Sequence, residues 1–258
     1  MKALVFVYKM RQYNKKISLI QNNRWVWDLD PFKWCYYWTL DNKRGCYWLC
    51  YAAKIAKFRW FDFANVVYRD FENEKHLKQI WKQLKRIDFV RLWTMCDPSH
   101  DWEHTIKIID KIKPYIKNIV VITKHWTTIT DEQLKKLNWI CINTSISALD
   151  TTEQIKHRLG QYKRLKNYCN SVLRVNTCDF RDSLFNEKKD IQEMLLKQEK
   201  VIDNVLRMPI SCIFVDWWLV QVKKYKFLDS EIVASKHDKN IFMWYCKNCK
   251  DKCWISLF

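Results

Sequence analysis

The sequence predicts an α/β fold. We read it as a partial (βα) barrel with a short N-terminal β extension and a cysteine-rich C-terminal tail. Three observations carry this reading. From residue 88 onward, apolar strand-like runs alternate with helical stretches about every 30 residues, as in βαβ units around a parallel sheet. The strand candidates number five or six, too few for a closed eight-unit barrel. Polar and charged residues gather directly after those strands, where the βα loops of such folds carry functional groups. The boundaries that follow are an extension over 1–42, a barrel over 43–235 and a tail over 236–258.

Residues 1–42 read as short strands and turns. Ala3–Tyr8 is strand-like, and Lys16–Ile20 and Trp25–Trp27 suit hairpin pieces. Trp34–Thr39 is an aromatic run with strand propensity, closed by an Asp41-Asn42 turn. Cys46–Phe58 reads as a loop entering a helix, and Glu72–Lys85 as a helix with a basic polar face (Lys75, Lys78, Lys82, Lys85). Phe89–Met95 is a strand and Asp101–Ile116 a helix. Asn118–Thr123 is a strongly apolar strand, and Thr130 caps a short helix. Trp139–Thr144 is the next strand. Asp150 and Glu153 open a helix running to about Asn167. Ser171–Thr177 is a strand, Asn186–Gln198 a helix and Cys212–Val215 a further strand.

Composition narrows the function. The formal net charge of +18 favours polyanionic partners, nucleic acid first. Only 2 glycines occur in 258 residues, which excludes a P-loop and a G-x-G-x-x-G dinucleotide loop. No G-x-S-x-G elbow is present. His100 and His104 stand four apart, but H-D-W-E-H misplaces the base of a zinc hydrolase. No run is apolar enough to span a membrane, and no secretory h-region is visible. The 11 cysteines therefore read as thiols or metal ligands in a reducing, cytoplasmic setting.

Two groups of cysteines stand out. Cys46 and Cys50 occupy the loop before the first helix, just after Gly45. Cys246, Cys249 and Cys253 form C-x2-C-x3-C in the tail, a pattern that suits zinc or an auxiliary iron–sulfur cluster. His237, Cys212 or a remote cysteine would supply a fourth ligand. Cys141, Cys169 and Cys178 read as small buried apolar residues. After the strands come Cys96-Asp97-Pro98-Ser99-His100, Thr123-Lys124-His125 and Asn143-Thr144-Ser145-Ile146-Ser147, with Arg174 inside the strand Ser171–Thr177.

This succession, from the aromatic run through the cysteine loop to those strand ends, resembles the radical S-adenosylmethionine (SAM) superfamily. It is most similar to the phage-type proteins related to the photoproduct-lyase-like group. The resemblance covers roughly residues 34–180. It implies an incomplete (βα)6, TIM-like barrel in the cytoplasm of a bacterial or phage-infected host cell. It also implies a [4Fe–4S] cluster with SAM on its open iron, cleaved to a 5′-deoxyadenosyl radical that modifies a substrate. By position, Cys46 and Cys50 match the first two ligands of the family's C-x3-C-x2-C loop. Ala53 stands where the third cysteine belongs, and Cys35 or Cys96 would be the substitute ligand. Asp97 matches the SAM amino-group contact, Asn143, Ser145 and Ser147 the ribose contacts, and Arg174 the carboxylate contact. A second class fits the charge. It is a catalytically degenerate barrel acting as a basic nucleic-acid-binding protein with a structural zinc site in the tail.

Overall fold

The computed structural model describes residues 16–22, 26–36, 51–92, 95–177, 186–203, 210–215, 218–224, 232–234, 242–244 and 253. Its centre is a seven-stranded sheet in the order β1-β2-β5-β6-β7-β8-β9. These strands are β1 (Leu19–Gln21), β2 (Trp27–Leu29), β5 (Phe89–Leu92), β6 (Asn118–Thr123), β7 (Cys141–Ile146), β8 (Asn170–Val175) and β9 (Val201–Asp203). Only β1 runs antiparallel; β2 and β5 to β9 are all parallel. The stretch read as an N-terminal extension thus supplies the first two strands of this sheet. Between β2 and β5 lie a small pair, β3 (Phe32–Lys33) with β4 (Val67–Tyr68), and the helices α1 (Tyr51–Phe58) and α2 (Glu74–Leu84).

The other helices, α3 (Trp102–Ile112), α4 (Asp131–Lys135), α5 (Thr152–Leu165) and α6 (Asn186–Leu196), connect successive parallel strands. Their starts follow local chemistry. Asn73 and Asp101 accept the backbone N–H three residues on, from His76 and His104. Thr130 and Thr151 form capping boxes with Gln133 and Gln154, so α5 is capped one residue later than the Asp150/Glu153 reading. Pro114 lies in a 3₁₀ turn (Lys113–Tyr115), so α3 ends at Ile112 and not at Ile116. Trp34, Cys35 and Tyr36 are not strand, contrary to the aromatic-run expectation. Trp34 takes φ 68°, which breaks an extended run. Residues 37–39 lie outside the described set. Downstream, β10 (Ile210–Val215) and β11 (Trp218–Lys224) form one antiparallel hairpin, and β12 (Ile232–Ala234) and β13 (Phe242–Trp244) another.

Strand alternation splits the sheet into two faces. Leu29, Val90, Leu92, Ile119, Val121 and Ile142 turn towards the helices, meeting Leu77, Ile80, Leu84, Ile106, Ile109 and Ile112. The opposite face carries Val120, Ile122, Cys141, Val172 and Ile202, with Cys253 laid against them. That inner face is also polar. In register across it stand Asp28 beside Arg91, Ile122 beside Asn143, and Ser145 beside Arg174. All four polar residues of β7 and β8 that face it, Asn143, Ser145, Asn170 and Arg174, are buried. A wall with an apolar outer side and a polar, covered inner side suits a ligand face better than a plain core.

Candidate functional site

In a parallel sheet every βα loop leaves from the carboxyl edge, so chain order brings distant residues together there. Asp30 and Cys35 follow β2, Cys96 and Asp97 follow its neighbour β5, and Thr123 to His125 follow β6. Cys96 is buried. Its S–H lies 3.9 Å from Asp30 Oδ1. Burial pushes the Cys96 thiol well up, and the negative charges of Asp30, Asp97 and Cys35 push the same way. Asp30 also forms a buried 3.0 Å ion pair with Lys33. Cys35 is only half-buried and packs against the cluster of Trp34, Ala52, Ala53, Ala56 and Phe63. The backbone N–H of Cys35 donates to Phe63 O at 3.0 Å. Helix α1, which begins one residue after Cys50, contributes Ala52, Ala53 and Ala56 to that cluster. Ala53 is itself buried in that packing.

Asp97 is a structural knot. Its Oδ1 accepts from Ser99 N–H (2.9 Å), Ser99 Oγ (2.7 Å) and Thr123 Oγ1 (2.6 Å), and its Oδ2 from Lys124 N–H (2.8 Å). The next knot is Asp150. It accepts from Ser147 N–H at 2.8 Å, pairs with Lys124 at 3.3 Å and binds Arg158. Burial raises the Asp150 carboxyl, but Lys124 and Arg158 outweigh it and hold it below the usual range. Ser147 Oγ donates to Asn176 O at 3.1 Å, tying the β7 loop to the β8 loop. Ser147 is thus placed beside the ligand face, on the loop, while Asn143, Ser145 and Arg174 lie on the face itself.

The inner-face group is more open chemically. Asn143 is wholly buried, and its Nδ2 has no hydrogen-bond partner among the described residues. Ser145 Oγ accepts from Asn176 Nδ2 at 2.9 Å. Arg174 Nη2 donates to Cys253 Sγ at 3.2 Å. The Cys141 sulfur lies 3.2 Å from both Asn143 Oδ1 and Cys253 O, and Asn170 Nδ2 donates to it at 3.5 Å. Hydroxyl, amide and guanidinium are groups that can pair with hydroxyls and a carboxylate. Cys253, the last tail cysteine, lies against this face; Cys46, Cys50, Cys246 and Cys249 lie outside the described residues. Among the described residues no three His, Cys, Asp or Glu side chains are grouped to hold a metal ion.

His100 and His104 serve packing. Both rings contact Phe32, at 5.3 and 4.9 Å, and His104 Nε2 is 3.1 Å from Pro31 O. His125 is buried in a left-handed turn (φ 50°), its Nε2 3.0 Å from Thr144 Oγ1. Burial, then His157 and Arg158, lower His125 to about 3. An unfolded chain would protonate this ring near pH 6.5, so its contribution is present above 6.5 and is lost as pH falls towards 3. Between pH 6.5 and 5.0 the loss is about 2 kcal/mol, with the same sign from His100 and His104. Urea unfolding at several pH values checks this. His125→Asn, which tolerates the left-handed backbone, is expected to flatten the slope; an unchanged slope would reject His125 as its source.

Several residues of this region were not singled out from sequence. Asp28 and Arg91 had a weak signal, a charged residue within the apolar strand Phe89–Leu92. Asn176 had one, as a polar residue in the run after Arg174, and Arg158 had none. Comparison of the chain with protein-family models, curated proteins and solved structures gives no match.

Proposed function

We propose that the chain is a radical-SAM-like iron–sulfur enzyme on a partial (βα)6, TIM-like barrel. One observation carries the reading. Cys35, from the loop after the first parallel strand, packs on the same apolar cluster as Met95, the neighbour of Cys96 in the loop after the next, and that cluster includes Ala52, Ala53 and Ala56 of the helix that begins just after Cys50. The barrel reading is supported by strand order. Six parallel strands lie side by side in chain order, as in a barrel wall, and their order does not reverse.

The donor set fits the group by its chemistry. Cys46, Cys50 and Cys35 would hold a [4Fe–4S] cluster, with Cys35 in place of the family cysteine that is Ala53 here. Cys35 is the better third donor than Cys96, because Cys96 is buried against two carboxylates that oppose its ionisation. The chemistry such a cluster would supply, when reduced, is the electron for cleavage of SAM. The chain's own part is to bind and orient. Asn143 would donate from its open Nδ2, Ser145 would meet a ribose hydroxyl, and Arg174 would meet the carboxylate in place of the Cys253 sulfur. Asp97 and Ser147 would act at the rim, through Lys124 and Asn176, by fixing the loops at the carboxyl edge.

The test is iron and sulfide per chain after anaerobic reconstitution. About four irons are expected, lost in Cys46→Ala and Cys35→Ala and kept in Cys96→Ala. Retention in Cys35→Ala with loss in Cys96→Ala would move the third ligand to Cys96. A wild-type chain that takes up no iron would sink the reading. Zinc alone, lost only in Cys249→Ala, would favour a basic binding protein on a silent barrel.

A further inference from the structure

Charge is divided between the two edges of the sheet. At the carboxyl edge the described loops carry Asp30, Asp97, Asp101 and Asp150. Lys124 in those loops and Lys33 of β3 are both paired, with Asp150 and Asp30, and Arg59 after α1 is an exposed base of the same layer. At the amino edge each of the last four αβ connections carries an exposed base outside its helix. These are Lys113 and Lys117 before β6, Lys136 before β7, Lys166 before β8 and Lys200 before β9; Arg86 does the same before β5. Asp88 and Glu199 are the acids of those loops; Glu199 pairs with Lys166 at 2.7 Å, and Lys200 Nζ donates to Asn170 Oδ1 at 3.3 Å. Helix dipoles account for bases in a last turn. They do not account for bases beyond the cap, as Arg86, Lys117 and Lys200 are.

Flat rings accompany these bases. Trp81 stacks on Tyr115 at 4.7 Å and 11°, and Lys113 lies 4.6 Å over Trp139. Both Tyr115 and Trp139 are half-exposed. A shallow open cleft of about 330 Å³ runs between the strand starts, lined by Asn138, Asn167 and Asn170 with Lys166 and Lys200. We infer that this amino edge, the side of the sheet away from the proposed SAM site, binds the phosphate backbone of a nucleic acid. Lysines spaced over successive loops match a line of phosphates, amides suit phosphate and sugar oxygens, and rings offer stacking surfaces. A lipid surface would want protruding apolar side chains among the charges. Phe58 and Trp60, the two most exposed large apolar residues described, instead lie at the end of α1 and just after it, and α1 packs in the carboxyl-edge layer.

The test is anisotropy of a fluorescein-labelled 20-nucleotide single-stranded RNA, titrated with the full chain between 50 and 200 mM KCl. A triple variant, Lys113→Glu/Lys117→Glu/Lys136→Glu, is compared with Lys75→Glu/Lys156→Glu/Lys189→Glu, which has the same net charge but changes exposed helix positions away from the amino-edge loops. Loss of three phosphate contacts lowers the steepness of log K against log salt by about 2. We expect at least tenfold weaker binding at 100 mM KCl from the edge triple and less than twofold from the control. Equal weakening by both would overturn the inference, since attraction would then follow net charge alone. So would binding to phosphatidylserine vesicles with none to RNA. Iron content reports separately on the cluster, so the failure of one reading is visible without the other.

Discussion

Arg91→Met is expected to destabilise the chain by about 3–5 kcal/mol at pH 7, read from urea unfolding. Arg91 crosses from β5 to β2 on the inner face and holds Asp28 through two bonds, Nε to Oδ1 at 2.8 Å and Nη2 to Oδ2 at 3.2 Å. Side-chain exposures of 5 % and 3 % leave no water to replace either partner. Asn22 Nδ2 adds a 2.6 Å bond to Oδ2, which does not offset a full charge. Even in the intact pair burial dominates and raises the Asp28 carboxyl, with Arg91 pulling it down only in part. A carboxyl raised on folding contributes stability that is full below its unfolded value of 3.8 and lost as pH rises through the folded one. Losing Arg91 widens that window, so the deficit of Arg91→Met shrinks as pH is lowered from 7 towards 4. Adding Asp28→Leu removes the stranded charge and is expected to recover most of the loss. A single-variant cost below about 1 kcal/mol, or a deficit that grows in acid, would show that the pair does not hold β2 to β5.

Asp97→Ala is expected to cost about 4 kcal/mol, because it strands three buried donors and one half-buried donor at once. The four donors come from two loops, Ser99 after β5 and Thr123 with Lys124 after β6, so the carboxylate is what sets one loop against the other. Asp97→Asn separates charge from geometry. Its amide oxygen can keep the three bonds at Oδ1, but its NH2 then meets the Lys124 N–H, donor against donor. About half the cost of the alanine variant is expected from Asn. Thermal unfolding of both variants decides the matter. If Asn and Ala cost the same, the negative charge and not the Oδ1 network carries the effect. If neither moves the midpoint, Asp97 is no structural post, and a direct ligand contact becomes its stronger role.

How far the sequence could be read depended on the range of each interaction. The strands around Phe89, Asn118, Cys141 and Ser171 and the helices at 74–84, 102–112 and 152–165 were legible, since apolar period and capping residues act over a few positions. Where they were misjudged, one residue outweighed a pattern. Trp34 in a left-handed conformation ends an aromatic run that otherwise reads as strand, and Pro114 shortens α3. Asn143, Ser145 and Arg174 were singled out as polar residues at strand ends and by the family resemblance; that they share one face follows from the register of β7 and β8. Asp97 was legible as important, but its four donors were not.

The sequence by itself determined the α/β alternation, the parallel order of units, the basic surplus and the set of thiols that the chain can offer. All of these follow from composition or from periodicities of two and about 3.6 residues. Only the tertiary structure decided who meets whom. Arg91 and Asp28 are 63 residues apart, and Arg174 and Cys253 are 79 apart. Cys35 and Met95, the neighbour of Cys96, pack on one apolar cluster although the chain makes a long excursion between the two adjacent strands they follow. Period tells which way a side chain points, towards helices or towards the inner face. It does not name the partner, because the partner is set by strand neighbours and register, and those are chosen by the packing of the whole sheet.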